Sequence, residues 1–304
     1  MNRKVIAVAL LSVLGVSLPA AAQEFKAGEP LGAVNEAGVA MKMSDNVKVF
    51  GSFDFSESCT FDPERNLILA MNAGDRAAGA AEDGFVSLIN PDGSVHTAKW
   101  IGATRDGLVL SNPIGSAISN GVLYTVDSGF LRSFDLKTGR PMRSVQIPDA
   151  GFLNGIAVAK DGTAYISDTQ PGELIYKVTP DGRTSVFAKG APLALPNGVA
   201  MDNDGNIVVV NIGTNAVITY NPAGAVVRTE HAAEAGNDGV VVTADGTKYV
   251  SSVRFGSVSK IAPGKEAEVI ATGIPSAASM CYDSVQHQLI IPLNPNNALA
   301  FIKL

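Results

Sequence analysis

Glu57, Asn154, Asn197 and Asp238 are the residues of this chain whose types and spacing suit chemistry. Each carries a hard oxygen donor, and together they hold two formal negative charges. Asn154, Asn197 and Asp238 are each followed by glycine and lie 43 and 41 residues apart, while Glu57 is followed by Ser58. Brought to one point, two carboxylates and two amide carbonyls suit Ca²⁺, which takes about six to eight oxygen ligands. No His or Cys stands at these positions, which argues against Zn²⁺ or Cu²⁺. A plainer reading is that Asn-Gly and Asp-Gly are simply favoured turn dipeptides. It explains the glycines but leaves Glu57 unexplained, since Glu is a poor turn residue. A second plain reading is a cation that staples the fold and does no chemistry.

The elements that must position these residues are short strands. Segments 154–168, 197–211 and 238–252 are near-copies, each with an alternating apolar run and a second turn pair at Asp161-Gly162, Asp204-Gly205 and Asp245-Gly246. A period near 40 built from such strands marks a β-propeller, each repeat being one four-stranded blade. The expected fold is all-β, a six-bladed β-propeller over residues 47–304. Its blades open at Glu57, Ile114, Asn154, Asn197, Asp238 and Ala278. Ile114 and Ala278 offer no donor, so a cation on the axis keeps positions for water or a ligand, as Lewis-acid chemistry requires. The last blade is one strand short. The N-terminal strand 46–53 is expected to pair with the C-terminal blade, closing the ring and removing exposed edges. The second turn pairs join the first two strands of a blade and need no other role.

Residues 1–22 read as a signal peptide: Arg3 and Lys4, an apolar run from Val5 to Leu18, then Ala20-Ala21-Ala22 before Gln23. The run is too short for a membrane span, and no stable membrane anchor is expected. Residues 23–46 lack clean periodicity and read as a leader segment. The protein is therefore expected to be exported, periplasmic or secreted. The chain has 23 basic and 29 acidic residues, a net charge of −6, which argues against nucleic acid as partner and leaves a small-molecule substrate or ligand. Two cysteines in an oxidising compartment invite a disulfide. Cys59 lies two residues beyond its blade's opening position, however, and Cys281 three beyond. Strand parity then points them to opposite faces, so two separate buried thiols are the favoured expectation.

The order Glu57-Ser58, Asn154-Gly155, Pro196-Asn197-Gly198 and Asp238-Gly239 resembles the SMP-30/gluconolactonase family, and more distantly the paraoxonases and diisopropyl fluorophosphatase. The resemblance implies a six-bladed propeller in which Glu57, Asn154, Asn197 and Asp238 hold one divalent metal cation, usually calcium. It also implies that Asp238 is the general base or nucleophile in opening a lactone or ester. The blades here are shorter than in well-studied members, and the paraoxonase-like histidine pair has no counterpart in His96, His231 and His287. One fold hosts many functions.

Propeller geometry places Arg76, Asp168, Asn211 and Arg254 around the mouth as candidate substrate-binding residues. The arginines would grip an anionic substituent by bidentate bonds, or simply be solvated; Asp168 and Asn211 end equivalent strands and would otherwise cap loops. The leading expectation is a metal-dependent hydrolase of a lactone or related ester. The alternative is a non-catalytic ligand-binding or interaction propeller with a structural calcium or no metal. A lyase or isomerase using the same cation is a third.

Overall fold

The computed structural model describes residues 26–51, 53, 56–74, 82–102 and 109–304. The expected signal peptide lies outside the described residues. Among those described, six four-stranded antiparallel sheets and one two-stranded hairpin account for the strands. The chain is a six-bladed β-propeller. No helix among the described residues is long and apolar enough to cross a membrane.

Each blade is a meander, and its first strand is the innermost. These inner strands are Ser56–Asp62, Pro113–Ser119, Leu153–Val158, Pro196–Met201, Asn237–Val242 and Cys281–Asp283. They contact one another in succession around the axis. The last blade borrows its outer strand: Val47–Gly51 pairs antiparallel with Ala298–Lys303, Ala300 opposite Val49. That is the closure expected from the missing fourth strand.

The core is divided by the blades. Among the described residues six apolar clusters lie each between two neighbouring blades. The alternation of blade 1 shows why. Leu67, Leu69 and Met71 pack toward blade 2, while Ile68 and Ala70, one step out of phase, pack toward blade 6. Side chains of period two thus serve two interfaces, and such strands read as continuous apolar runs.

The same geometry corrects the cysteine expectation. Cys59 and Cys281 form a disulfide, with Cα atoms 5.5 Å apart. Strand parity compares faces as though bridged residues shared one. In a ring, one blade meets its neighbour front to back, so residues that touch across a seam belong to opposite faces. Cys59 pairs in register with Ala70, which faces blade 6, and Cys281 pairs with Ile290, which faces blade 1. The borrowed strand and the disulfide therefore lock the same ring closure.

Residues 26–46 are more than a leader. Pro30–Val34 and Ala40–Lys42 form a hairpin. It lies against blade 5, where a Cβ on Gly256 would meet the Ala33 Cβ at 2.5 Å and one on Gly273 would meet the Met43 amide nitrogen at 2.4 Å. Met43 completes the cluster between blades 5 and 6.

Candidate functional site

Glu57, Asn154, Asn197 and Asp238 occupy one structural position. In each blade the preceding residue pairs with the end of the second strand: Ser56 with Asn72, Leu153 with Asp168, Pro196 with Asn211 and Asn237 with Ser252. The inner strand then bulges by one residue before regular pairing resumes. A bulge re-aims a side chain, and here the re-aimed residue is the candidate ligand. Ile114 and Ala278 follow the equivalent pairs Pro113 with Asp127 and Ala277 with Leu293.

The glycines after the candidate ligands have a packing job. Gly162, Gly205 and Gly246 have φ of 87°, 82° and 84°, as tight turns require. Gly155, Gly198 and Gly239 are not among the residues of positive φ. A Cβ on Gly155 would sit 2.3 Å from the Asn197 carbonyl oxygen, and one on Gly198 would sit 2.4 Å from that of Asp238. Adjacent inner strands approach this closely because those side chains are missing. The turn reading of these three dipeptides is therefore replaced by one of close strand approach. Serines on second strands reinforce it: Ser167 Oγ donates to the Asn197 carbonyl at 2.5 Å, and Ser251 Oγ to that of Ala278 at 2.5 Å.

Asn197 Nδ2 donates to Asp238 Oδ2 at 3.1 Å. Burial pushes the Asp238 carboxyl well above the usual carboxylate range and the charge of Glu57 pushes it the same way, with the Asn197 hydrogen bond opposing both. Glu57 and Asp238 therefore feel one another, in a site where Glu57 is 9%, Asn154 7% and Asn197 4% exposed and Asp238 is half-buried. Across the seam with blade 6, Asn294 Nδ2 donates to Glu57 Oε2, while the Asn294 Oδ1 is buried without a hydrogen-bond partner. Sequence reasoning misses Asn294. It sits in the 3₁₀ turn Asn294–Asn296 after the strand Gln288–Leu293, and Asn294-Pro295-Asn296-Asn297 reads as ordinary turn chemistry.

This donor set fits a hard divalent cation. Two mutually repelling acids are gathered with amides, and the influences resolved on Asp238 include no basic side chain. Among the described residues no cluster of three or more His, Cys, Asp or Glu exists, so a metal here would rest on amide oxygens as well as carboxylates.

The candidate substrate-binding residues are dispersed. Asp168 is fully buried and accepts from the backbone N–H groups of Gly151 and Phe152 at 2.7 and 2.9 Å. Asn211, also fully buried, accepts from Ala194 N–H at 3.0 Å. Both hold the loop that leads into their own blade's inner strand, and Asp127 does the same for Ser111 and Asn112. Arg254 is exposed on a loop of blade 5. Arg76 lies outside the described residues. His96, His231 and His287 are all exposed. His287 is held by the Tyr282 hydroxyl at 2.9 Å, beside the turn that Asp283 caps between the first two strands of blade 6.

Fold and inner ring together define a six-bladed propeller with acidic and amide side chains gathered where its inner strands begin. Residues 92–233 match the family model described as SMP-30/Gluconolactonase/LRE-like region, in keeping with the resemblance carried by the four-residue order. A gluconolactonase from Xanthomonas campestris is 18% identical over 95% of this chain and 99% of its own, with a TM-score of 0.66. A putative gluconolactonase of solved structure is 17% identical over 83% of this chain and 89% of its own, TM-score 0.63. Virginiamycin B lyase from Staphylococcus aureus is 15% identical over 85% and 99%, TM-score 0.58. At these identities the likeness is one of fold. No curated protein sequence matches the chain.

Proposed function

We propose that the protein is an exported, calcium-dependent hydrolase of a lactone or related ester. The carrying observation is that the Asn197 amide donates to Asp238 at the inner strand ends while the charge of Glu57 acts on the same carboxyl. In this reading Glu57, Asn154, Asn197 and Asp238 hold the cation through side-chain oxygens. When bound, the cation supplies electrostatic stabilisation to a carbonyl oxygen that gains charge during attack. Asp238, held by the Asn197 amide at the inner strand ends, would take the proton of the attacking water. Asn197, by donating to one Asp238 oxygen, fixes the plane of the carboxylate. The glycine-mediated approach of the strands keeps the ring small enough for all four groups to share one ion. Export is supported by the disulfide, which suits an oxidising compartment, and by the leader-like first 22 residues.

The test is a panel of lactones, aryl esters and phosphotriesters, each assayed with calcium and with chelator. Turnover of a lactone or ester that chelator abolishes and calcium restores is the expected result. Calcium binding with no turnover anywhere in the panel would favour a ligand-binding propeller.

A further inference from the structure

Blade 6 breaks the pattern of the ring. Its opening position, Ala278, precedes the inner strand Cys281–Asp283 and brings no donor, yet the blade still sends a polar group to the site. That group follows the second strand. Leaving Leu293, the chain makes the 3₁₀ turn Asn294–Asn296 and turns out through Asn297 at φ 50°. The turn presents Asn294 to blade 1, where its Nδ2 donates to Glu57 Oε2. The carboxamide is thereby oriented, with nitrogen on the acid and Oδ1 on its other side. That oxygen is buried and has no hydrogen-bond partner among the described residues. An amide oxygen stranded in this way is costly, so the turn is not explained by its own hydrogen bonding.

We propose that Asn294 is a positioning residue of the cation site. Resting on the reading of Glu57, Asn154, Asn197 and Asp238 as cation ligands, it assigns blade 6 a part in the same site. Asn294 holds one oxygen of Glu57 in place by N–H donation and so fixes the orientation of the carboxylate. A carboxylate ligand free to rotate would lose side-chain entropy on binding; a pre-held one does not. Groups that orient metal ligands in this way are typically worth about 10–100-fold in metal affinity. The competing account is that the Asn294 amide merely occupies Glu57 and must be displaced by the ion. That account gives the opposite sign.

Calcium alone is the probe. Isothermal titration of the mature protein compares the natural chain with Asn294→Ala and with Asn296→Ala, an exposed residue of the same turn. Thermal melting in chelator separates folding from binding. The expected result is a roughly tenfold or greater loss of calcium affinity in Asn294→Ala, none in Asn296→Ala, and similar chelated melting temperatures for the two. Should the alanine variant fail to fold, Asn294→Leu, close in volume and unable to donate, is read by the same criterion. Affinity unchanged or tightened in the variant, with the natural chain binding calcium, overturns the role of Asn294 and leaves the four-ligand site standing. A natural chain that binds no calcium overturns the four-ligand site and this inference with it.

Discussion

Asn197 and Asp238 meet across the seam between blades 4 and 5, the amide nitrogen of one 3.1 Å from a carboxylate oxygen of the other. Their backbones meet at the same seam, where Gly198 lies against the Asp238 carbonyl. Side-chain contact and strand approach are thus one construction. Its consequence for ligand binding is tested by contrasting two aspartates of blade 5. Asp238→Ala should weaken calcium binding by at least about a hundredfold, on the scale of losing a charged ligand from a site built on few of them. Asp245→Ala should change it little, since Asp245 accepts from the Thr247 N–H at 3.0 Å in the hairpin turn. Calorimetry of both variants checks this, and equal losses would refute the assignment of Asp238 as a ligand.

The elevated proton affinity of Asp238 gives a signed dependence on pH. Its folded-state pKa is raised above the ordinary value by burial and by Glu57. Its contribution to stability is therefore full below about pH 4 and is lost as pH rises through the folded value. In chelator, the natural chain should lose stability relative to Asp238→Asn as pH climbs out of the acid range. Calcium should reverse the trend, because it binds the ionised form, so the calcium-induced rise in melting temperature grows with pH. Melting curves of both chains, with calcium and with chelator, read this directly. A calcium effect that shrinks with rising pH would contradict it.

The glycines that admit neighbouring strands should tolerate no side chain. Gly155→Ala and Gly198→Ala place a Cβ 2.3 and 2.4 Å, respectively, from a neighbouring backbone oxygen. Backbone cannot swing aside as a flexible side chain would. Each substitution should cost about 1–3 kcal/mol or more as overpacking and spread the ring, weakening calcium binding as well. Gly51→Ala serves as control, its nearest new neighbour being 4.0 Å away. Urea unfolding with chelator present measures the stability part.

The blades, and the shared structural position of the candidate ligands, are legible in the sequence because the repeat fixes phase: each copy begins with an oxygen donor and runs at nearly the same spacing. Three features stay hidden for physical reasons. The Cys59–Cys281 bridge escapes strand parity because parity compares faces within one sheet, whereas a ring joins opposite faces of neighbours. Asn294 escapes because blade 6 departs from the repeat, so no copy points to it. The hairpin of Pro30–Val34 and Ala40–Lys42 has strands too short to show alternation. The repeat does place Asp168 and Asn211 at strand ends, but sequence cannot tell a rim group from one turned inward to hold a loop.

The disulfide bears on stability. Closing a ring already sealed by Val47–Gly51, it ties residues 222 apart. The double substitution Cys59→Ala, Cys281→Ala should lower stability by about 2–5 kcal/mol, with calcium affinity little changed because the bridge lies in the apolar cluster between blades 6 and 1. Denaturant unfolding of this variant beside the natural chain gives the value. A variant as stable as the natural chain would show that the borrowed strand alone closes the ring.

The mechanistic reading meets its sharpest test at Asp238, where metal binding and proton transfer must be separated. Asp238→Asn keeps an oxygen donor but removes the charge and the basicity. The variant should fold and, at saturating calcium, still hold the ion, though more weakly. Turnover of an accepted lactone or ester should nevertheless fall by roughly a hundredfold or more, the scale of lost general-base catalysis. Asn197→Asp is the contrast, since it adds a charge beside the ion while leaving the Asp238 carboxylate in place. It also replaces the amide that donates to Asp238 with a second acid, so its binding is measured before its rate is compared. If Asp238→Asn turns substrate over at near-native rates with calcium bound, Asp238 is a ligand only and the proton goes elsewhere. A loss of rate that extra calcium restores would likewise make Asp238 a ligand only, because the defect would then lie in holding the ion.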